Sequence, residues 1–539
     1  MNTPTPSAPS GTGPGLRRVA VLGGGPGGLY TARLLKRARP GWEVDLYEEH
    51  HPEDTFGFGV GMSSATQRNL GQSDPDTLRE ILDVARHGYG SRLHARSGAA
   101  RLDGRDQLAI ARATLLRILH RHAEKSGVTM HIGRVDDHRS IDADVVVAAD
   151  GAGSPTRRAL ADELGASVHQ GRQLYLWCGT DFALPDALFA PVHTGFGTFT
   201  THAYPYAEDR STFLVETDEQ TWRAAGLDVA AEQTPPGGSD ETSIAYLQDI
   251  FAEELQGHRL LGNRTRWTRF RTVRCERWHA GNVVLVGDAA HTAHYSIGSG
   301  TKLAMEDAIA LCEALTAHEI RDGQALTEVF ERYQTQRSSS VERLQGLADR
   351  SQLWWESYVR RLDMSPEQLV MSFVSRAGNV PLEVFAERTP EIVGPALQDY
   401  AGEPAPADTP VVSWVLDQPL HTDGRTFDRR VLGPADLTDG CIVTLTSDVA
   451  DTWGAEASAL VAECSLLLSR GTAGIRLTGP PTRAAVLRRL DLAERLRLEL
   501  TDVDALIVVD GPEELLTDLA AGLVSGRTDL ISLQKESTS

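Results

Sequence analysis

Apolar and polar positions follow one another along residues 17–170 in a pattern that predicts alternating strands and helices. Mainly apolar runs at 18–22 and 144–149 are typical of strands buried on both faces, and 44–47 predicts a further strand between them. Stretches at 29–39 and 110–125 predict helices between them. A strand at 282–286 and a helix at 303–315 resume the pattern later. We therefore predict an α/β fold with a doubly wound, Rossmann-like parallel sheet.

Between these two parts the pattern changes to that of a β-rich domain. Apolar and β-branched residues at 196–206 and 211–216 predict paired strands across a loop at 207–210. We predict a first domain over 17–170 and 275–330, with a β-rich domain at 171–274 inserted into it. A helical segment at 331–400, a linker at 401–410 and a small α/β domain at 411–539 should follow, and residues 1–16 should form a disordered tail.

The first strand ends in a glycine-rich turn that leads into the first helix. Its residues are Gly23, Gly24, Gly25, Pro26, Gly27 and Gly28. In this context Gly23 permits the tight turn, Gly25 lets the backbone approach a pyrophosphate, and Gly28 lets the helix pack closely on the strand. Glu48 ends the second strand, twenty residues after Gly28, where a carboxylate accepts hydrogen bonds from a ribose. The sequence therefore predicts an adenine dinucleotide site.

Two later strands also end in turns that carry an aspartate. The strand at 144–149 ends in Asp150 and Gly151, followed by Arg157, and the strand at 282–286 ends in Gly287 and Asp288. Glycines at 298 and 300 then precede the helix at 303–315. The carboxyl ends of parallel strands meet at one sheet edge, which is where doubly wound folds bind ligands, so we expect these turns to share a site.

In this order and spacing, the three turns resemble those of the group A flavoprotein aromatic hydroxylases. The resemblance implies tightly bound, non-covalent FAD in the first domain, with Asp288 on its ribityl chain and the inserted domain covering the substrate. It implies an arginine–flavin contact at Arg112, although an exposed arginine is the alternative. The implied FAD contacts are Gly23, Gly25, Pro26, Gly27, Gly28, Glu48, Arg112, Asp150, Asp288, Gly298, Gly300 and Thr301.

Two departures from the common pattern of this family narrow the resemblance. Tyr295 stands where proline is usual, and Lys302 stands where asparagine is usual. Both departures, with the segments 56–61, 212–216 and 354–356, resemble the branch that acts on aryl-CoA thioesters. This resemblance spans about residues 17–395. It implies a single-component monooxygenase that uses O2 and a C4a-hydroperoxyflavin to hydroxylate salicylyl-CoA at ring position 5, giving gentisyl-CoA. The alternative is hydroxylation of anthraniloyl-CoA, or of a free or carrier-bound indole or phenol in secondary metabolism.

The cofactor and ring chemistry suggest further roles. A single glycine signature favours NADH or NADPH as a transient co-substrate without a dinucleotide fold of its own. His294 is our candidate for polarising a phenol, but it could equally be a helix-start residue bonded to backbone. Tyr295 and Ser296 are candidates for orienting the ring.

Residues 259–277 hold seven arginines and one acid, in a chain of net charge −21. This segment is either a solvated strand face or a grip for coenzyme A phosphates, for which we single out Arg264, Arg266 and Arg269.

Composition excludes several classes of protein. The net charge of −21 argues against nucleic-acid and membrane partners. The five cysteines are scattered, which fits a reducing cytoplasm and predicts neither disulfides nor a metal site. We expect a soluble cytoplasmic enzyme, monomeric or homodimeric. The role of the domain at 411–539 is unknown. It has no Cys-x-x-Cys of a thioredoxin-like domain, and it is too short for the fused barrel that its end faintly resembles. We expect it to be structural, without a flavin of its own.

Overall fold

The structure is a computed structural model that describes residues 16–51, 57–104, 107–317, 320, 323–405, 409–422, 425–433, 436, 441–449, 451–500 and 505–534. Of the tail predicted at 1–16, only residue 16 is among the described residues. The chain divides into two compact units. The first contains Met1–Tyr89, Gly104–Ala187 and Thr194–Gly346, and the second contains Gly90–Asp103, Leu188–His193 and Leu347–Ser539. The finer division predicted from the sequence stays a prediction.

A six-stranded, mainly parallel sheet forms the centre of the first unit. Its strands, in spatial order, are β16 (His279–Ala280), β17 (Val283–Leu285), β9 (Val145–Ala148), β1 (Arg18–Leu22), β2 (Glu43–Glu48) and β8 (Thr129–Ile132). Only the β16–β17 pair is antiparallel. All four residues of β9 are buried, as expected for a strand covered on both faces. The predicted doubly wound α/β fold is confirmed.

A second, antiparallel sheet contributes five strands to the first unit. Four of its strands pair in the order β14 (Leu260–Leu261), β10 (Ala166–Thr180), β13 (Ser211–Thr217) and β12 (Gly197–Pro205), and β15 (Thr268–Cys275) also pairs with β10. The predicted hairpin over 196–216 is confirmed, because β12 and β13 pair from Thr200 with Glu216 to Pro205 with Ser211.

A small third sheet corrects one helix boundary. The strands β3 (Gly59–Gly61), β7 (Leu108–Ala111) and β4 (Arg86–His87) pair in that order. We predicted a helix over 110–125, but Ile110 and Ala111 belong to β7, where they pair with Val60 and Gly59. The helix starts only at Arg112, after this backbone pairing ends.

The helices of the first unit pack around these sheets. They are α1 (Pro26–Ala38), α2 (Ser64–Ser73), α3 (Pro75–Val84), α4 (Arg112–Ser126), α5 (Pro155–Ala159), α6 (Ala161–Leu164), α7 (Glu219–Ala224), α8 (Leu227–Gln233), α9 (Glu241–Ile250), α10 (Ala252–Leu255), α11 (Gly300–Thr316) and the part of α12 (Gly323–Glu356) up to residue 346. Helix α1 packs against both α4 and α11. No helix among the described residues is both long enough and apolar enough to pass through a membrane.

The second unit has its own parallel sheet. Its five strands lie in the order β20 (Val431–Leu432), β24 (Leu530–Leu533), β23 (Leu506–Gly511), β22 (Gly474–Thr478) and β21 (Ile442–Thr446). The other strands are β5 (Ser91–Ala95), β6 (Gly98–Leu102), β11 (Ala187–Thr194, of which 188–193 belong to this unit), β18 (Leu420–Thr422) and β19 (Arg425–Phe427). The helices are α13 (Pro366–Ser375), α14 (Leu382–Arg388), α15 (Pro390–Ala401), α16 (Val411–Leu416), α17 (Ala455–Ser469), α18 (Arg483–Glu499) and α19 (Leu516–Val524). The predicted β-α-β-α-β-α order of the C-terminal segment is confirmed.

The carboxyl edge of this second sheet is filled by one arginine. Arg489 is fully buried, and its guanidinium donates to the carbonyl of Asp510 at the end of β23 and to the carbonyl of Pro480 beyond β22. A Cβ added to Gly479 would lie 2.9 Å from Arg489 Nη1, so the backbone closes tightly around this side chain. Parallel sheets of this kind often bind ligands at this edge.

A buried charge network joins elements of the second unit. Arg361 donates to both oxygens of Glu494 at 2.9 and 2.7 Å, and Arg527 Nε lies 3.5 Å from the same carboxylate. Burial alone would raise the pKa of Glu494, but Arg361 and Arg527 outweigh burial and hold that pKa below its usual value. The carboxylate therefore compensates two buried cations.

We expect Glu494→Gln to destabilise the second unit by about 3–5 kcal/mol, because it leaves buried guanidinium charge uncompensated. The control is Asp417→Asn, which breaks the exposed Arg429–Asp417 pair and should cost only about 0–1 kcal/mol. Denaturant unfolding, followed by tryptophan fluorescence, measures both. Equal effects of the two substitutions would show that the buried network does not stabilise this unit.

Candidate active site

The glycine turn between β1 and α1 has the geometry that its sequence predicts. Gly23 has a φ of +105°, which favours glycine. A Cβ on Gly28 would overlap the carbonyl oxygen of Gly23, so only glycine allows this approach of helix to turn. A Cβ on Gly25 would meet nothing within 4 Å, because Gly25 faces a cavity. Pro26 begins the helix, and no side chain caps its free N–H groups.

Glu48 lies beside this turn. Its carboxylate accepts hydrogen bonds from the backbone N–H groups of Gly24 at 2.5 Å and His50 at 2.9 Å. These bonds fix the carboxylate in the wall of a side cavity of about 130 Å³. The wall of the side cavity contains Gly24, Gly25, Leu29, Leu46, Glu48, His50, His51, Arg112, Leu116, His120, Met130, His131 and Ile132.

The main cavity has a volume of about 640 Å³ and lies within the first unit. Its lining includes most of the predicted cofactor residues, namely Gly25, Pro26, Gly27, Arg112, Asp288, Gly298, Gly300 and Thr301. Arg112 lines both cavities, and burial lowers the pKa of its guanidinium while Asp288 opposes that change. Gly25 and Arg112 therefore belong to the walls of both cavities.

The two aspartate turns come together as predicted, and Arg157 connects them. This buried arginine donates to the carbonyl oxygens of Ala152 at 2.5 Å, Asp288 at 3.3 Å and Ala289 at 2.9 Å. Asp150 accepts from the N–H of Thr156 at 3.2 Å through one oxygen. Its other oxygen is buried and has no hydrogen-bond partner among the described residues.

Asp288 faces the main cavity. Its side chain can be reached from the cavity, yet the surrounding wall removes it from bulk water. This burial raises the pKa of Asp288, while His291, Arg112 and Arg157 act in the opposite direction. Asp288 is therefore a hydrogen-bonding carboxyl group that is open to a ligand and otherwise poorly solvated.

A fully buried carboxylate holds the turn that carries Asp288. Asp307 on α11 accepts from the N–H of Gly287 at 3.0 Å and from Arg337 Nε at 2.8 Å. His291 Nε2 lies 2.8 Å from the same carboxylate. Burial would raise the pKa of Asp307, but His291 and Arg337 outweigh it, and the pKa is lowered. Asp307 thus remains ionised beneath the site.

The three predicted catalytic residues differ in position. Tyr295 lines the main cavity. His294 and Ser296 are not among the described residues that line it. His294 is buried, and its Nδ1 lies 2.9 Å from Ser296 Oγ and accepts from the Ser296 N–H at 3.4 Å. The alternative interpretation of His294, a residue bonded to backbone at a helix start, matches this geometry. The catalytic roles of all three stay predictions.

Four arginines of the basic segment line the main cavity: Arg264, Arg266, Arg269 and Arg271. Arg266 donates to the carbonyls of Pro235 and Ala231, and Arg269 pairs with Glu219 at 2.5 Å. Arg264 has a φ of +52°, a strained conformation for a residue with a side chain. The segment thus brings four of its arginines to the cavity wall, and their role in binding phosphates stays a prediction.

Comparisons with known proteins identify a family and several relatives of this chain. The FAD binding domain family matches residues 99–348. Salicyloyl-CoA 5-hydroxylase of a Streptomyces species is 40% identical over 365 residues, which are 67% of this chain and 70% of that protein. 3-Hydroxy-4-methyl-anthranilyl-[aryl-carrier protein] 5-monooxygenase of Streptosporangium sibiricum is 38% identical, over 67% of this chain and 95% of its own. Protodeoxyviolaceinate monooxygenase of Chromobacterium violaceum is 30% identical, over 68% and 95%.

This chain belongs to the FAD-dependent aromatic monooxygenases. FAD fits the residues of this monooxygenase, because the backbone at Gly25 opens to the cavity, Asp150 has a buried oxygen without a partner, and Asp288 offers an acceptor. We infer that Glu48 holds the adenosine ribose, the N-terminus of α1 the pyrophosphate, and Asp288 the ribityl chain.

Several residues that shape this site of the monooxygenase cannot be recognised from its sequence motifs. Asp307, Glu216 and His202 were not identified as site residues, because each acts through contacts that are distant in sequence. A buried-type acid within a helix, as at Asp307, was the available signal for one of them. Arg271 belongs to the basic segment and lines the cavity, although it is not among the three arginines predicted to bind phosphates.

We expect Asp288→Ala to leave the monooxygenase folded but to raise the Kd for FAD about 5- to 150-fold. The lost acceptor leaves polar groups of the ligand unpaired, at about 1–3 kcal/mol. Fluorescence titration of the apoprotein measures the Kd. The control is Asp142→Ala, which removes an exposed carboxylate before β9 and should bind FAD normally. Unchanged affinity in Asp288→Ala would contradict the ribityl assignment.

Proposed function

We propose that this monooxygenase hydroxylates an aryl thioester, and that its substrate is salicylyl-CoA (salicyloyl-CoA), converted to gentisyl-CoA by hydroxylation of ring carbon 5. The observation that carries the proposal is the composition of the main cavity. Aromatic side chains and four arginines line the same cavity as Asp288. Coenzyme A would serve as a phosphate-bearing handle on the aryl ring. The ring matches the aromatic side chains of the cavity wall, and the phosphates match its arginines.

Four aromatic side chains of the main cavity, which we call the aromatic group, can pack against the ring of the substrate. The ring of Tyr295 lies 4.9 Å from that of Tyr175, 5.7 Å from Phe270 and 6.1 Å from Trp177, measured between centroids. These spacings are typical of favourable edge-to-face and tilted ring pairs. A planar aromatic substrate can extend the same packing, which excludes water and fixes the ring plane.

The arginines suit the handle. Coenzyme A carries a pyrophosphate and a 3′-phosphate, and guanidinium groups bind phosphates through paired, charge-assisted hydrogen bonds. Arg264 and Arg271 are exposed at the cavity, whereas Arg266 and Arg269 are only partly exposed there. We therefore propose that Arg264 makes the main phosphate contact and that Arg266 and Arg269 assist.

Reaction at carbon 5 follows from the electronics of the substrate. Bound FAD, reduced by NADH or NADPH, supplies the activated oxygen of O2 for transfer to the ring. The salicyl hydroxyl makes carbon 5, which is para to it, electron-rich. The chain's own residues orient the ring through the aromatic group and keep water out, so that oxygen is transferred to carbon.

A second candidate is an aryl thioester on a carrier protein. The relative that acts on an aryl-carrier protein is 38% identical, and 95% of its length is covered. A carrier arm and coenzyme A share the phosphopantetheine thioester, so the same cavity suits either handle. A free indole or phenol is the third candidate, and the relative named for protodeoxyviolaceinate, 30% identical, supports it.

Incubation with 18O2, NADH or NADPH and salicylyl-CoA should place one labelled oxygen on carbon 5. Free salicylate should be a poor substrate, because the handle supplies binding energy that positions the ring. Mass spectrometry of the hydrolysed product measures the label, and H2O2 release measures uncoupled turnover. Faster coupled turnover of the carrier-bound thioester or of an indole would replace the CoA proposal.

We expect Arg264→Gly to raise the KM for salicylyl-CoA about 10- to 150-fold, for the loss of about 1.5–3 kcal/mol of charge-assisted bonding. Glycine suits the φ of +52° at this position, so folding and FAD content should be preserved. The control is Arg259→Ala, which removes an arginine of the same segment that pairs with Asp181. A KM that is equal in both variants would leave only the solvated-face interpretation of the segment.

A further inference from the structure

Tyr295 has a partner that determines how its hydroxyl meets a substrate. Its hydroxyl donates to the carboxylate of Glu216 on β13. Glu216 is 3% exposed, whereas Tyr295 lines the main cavity. A buried acid is thus joined to the cavity through one tyrosine.

A second buried side chain holds Glu216. His202 on β12 lies with Nε2 at 3.0 Å from the other carboxylate oxygen, and both residues are buried. Burial alone would raise the pKa of Glu216, but His202, His294 and Tyr295 outweigh it and hold the pKa below its usual value. An ionised carboxylate can only accept hydrogen bonds.

The polarity of Tyr295 follows from this arrangement. A phenolic hydroxyl has one proton, and here it is committed to Glu216. Toward a ring in the cavity, the oxygen of Tyr295 then offers lone pairs. It pairs well with a ring substituent that donates, such as a hydroxyl or an amine, and poorly with one that only accepts.

We propose that Glu216 is a positioning residue that fixes Tyr295 as a hydrogen-bond acceptor, and that the pair, held by His202, selects aromatic rings with a donor substituent. The inference rests on the proposed function only in placing an aromatic substrate in this cavity. It applies equally to a ring carried by coenzyme A, by a carrier protein or by no handle.

The test compares ligands that differ only in this substituent. Salicylyl-CoA has a donor, and 2-methoxybenzoyl-CoA has an acceptor of similar shape. Perturbation of the flavin absorbance gives the Kd of each in the FAD-loaded enzyme, without turnover. We expect the unsubstituted enzyme to bind the donor ring about 10-fold more tightly, the effect of one hydrogen bond.

Two variants should abolish this preference. Tyr295→Phe removes the acceptor, and the ratio of the two Kd values should fall to about one. Glu216→Gln keeps the size of the side chain but can donate to Tyr295, which frees the tyrosine proton for an acceptor ring. Its ratio should therefore also fall. The matched control is Tyr246→Phe, which removes the hydroxyl of a tyrosine that packs against Phe199 and is not part of the cavity wall, and it should keep the ratio.

The flavin spectrum reports whether each variant is folded, and Tyr295→Phe decides if Glu216→Gln does not fold. A ratio that stays near 10-fold in Tyr295→Phe would overturn the inference, even if salicylyl-CoA is hydroxylated. The same comparison with salicylate and 2-methoxybenzoate separates the two proposals. If only these free acids bind and show the changes, the CoA proposal fails and the inference stands. If no donor ring perturbs the flavin, both fail.

Discussion

The first unit depends on one buried carboxylate. Asp307 ties the turn at Gly287 to helix α11, on which it lies, and to Arg337 of α12. Three cationic or donor groups surround it, so an ionised acid is stable where burial alone would neutralise it. The turn that carries Asp288 into the main cavity is therefore held in place by the ionised carboxylate of Asp307.

The sequence predicts those parts of the site whose geometry depends on residues close together in the chain. The turn at Gly23 and Gly28 depends on backbone sterics within six residues, and the sequence predicted it correctly. Glu48 follows from strand length and parallel pairing. The start of α4 was wrong by two residues, because pairing of β7 with the distant β3 overrides local helix preference at Ile110 and Ala111.

Side-chain contacts between residues that are far apart in the sequence could not be predicted. Glu216 and Tyr295 are 79 residues apart, and no local pattern shows that the one accepts from the other. The same holds for Arg266, whose guanidinium reaches carbonyls at 231 and 235. Side-chain direction decides whether a charged residue binds a ligand or its own backbone, and direction appears only when the elements are assembled.

In the second unit, the carboxyl edge of the parallel sheet is occupied by the side chain of Arg489. At the place where a parallel sheet can receive a ligand, Arg489 supplies a cation from within the chain, held by the carbonyls of Asp510 and Pro480. The buried guanidinium of Arg489 occupies this edge of the sheet. The carbonyls at this edge receive their donor from the chain itself, so shortening Arg489 would leave both unpaired carbonyls and an empty space in the interior of the sheet.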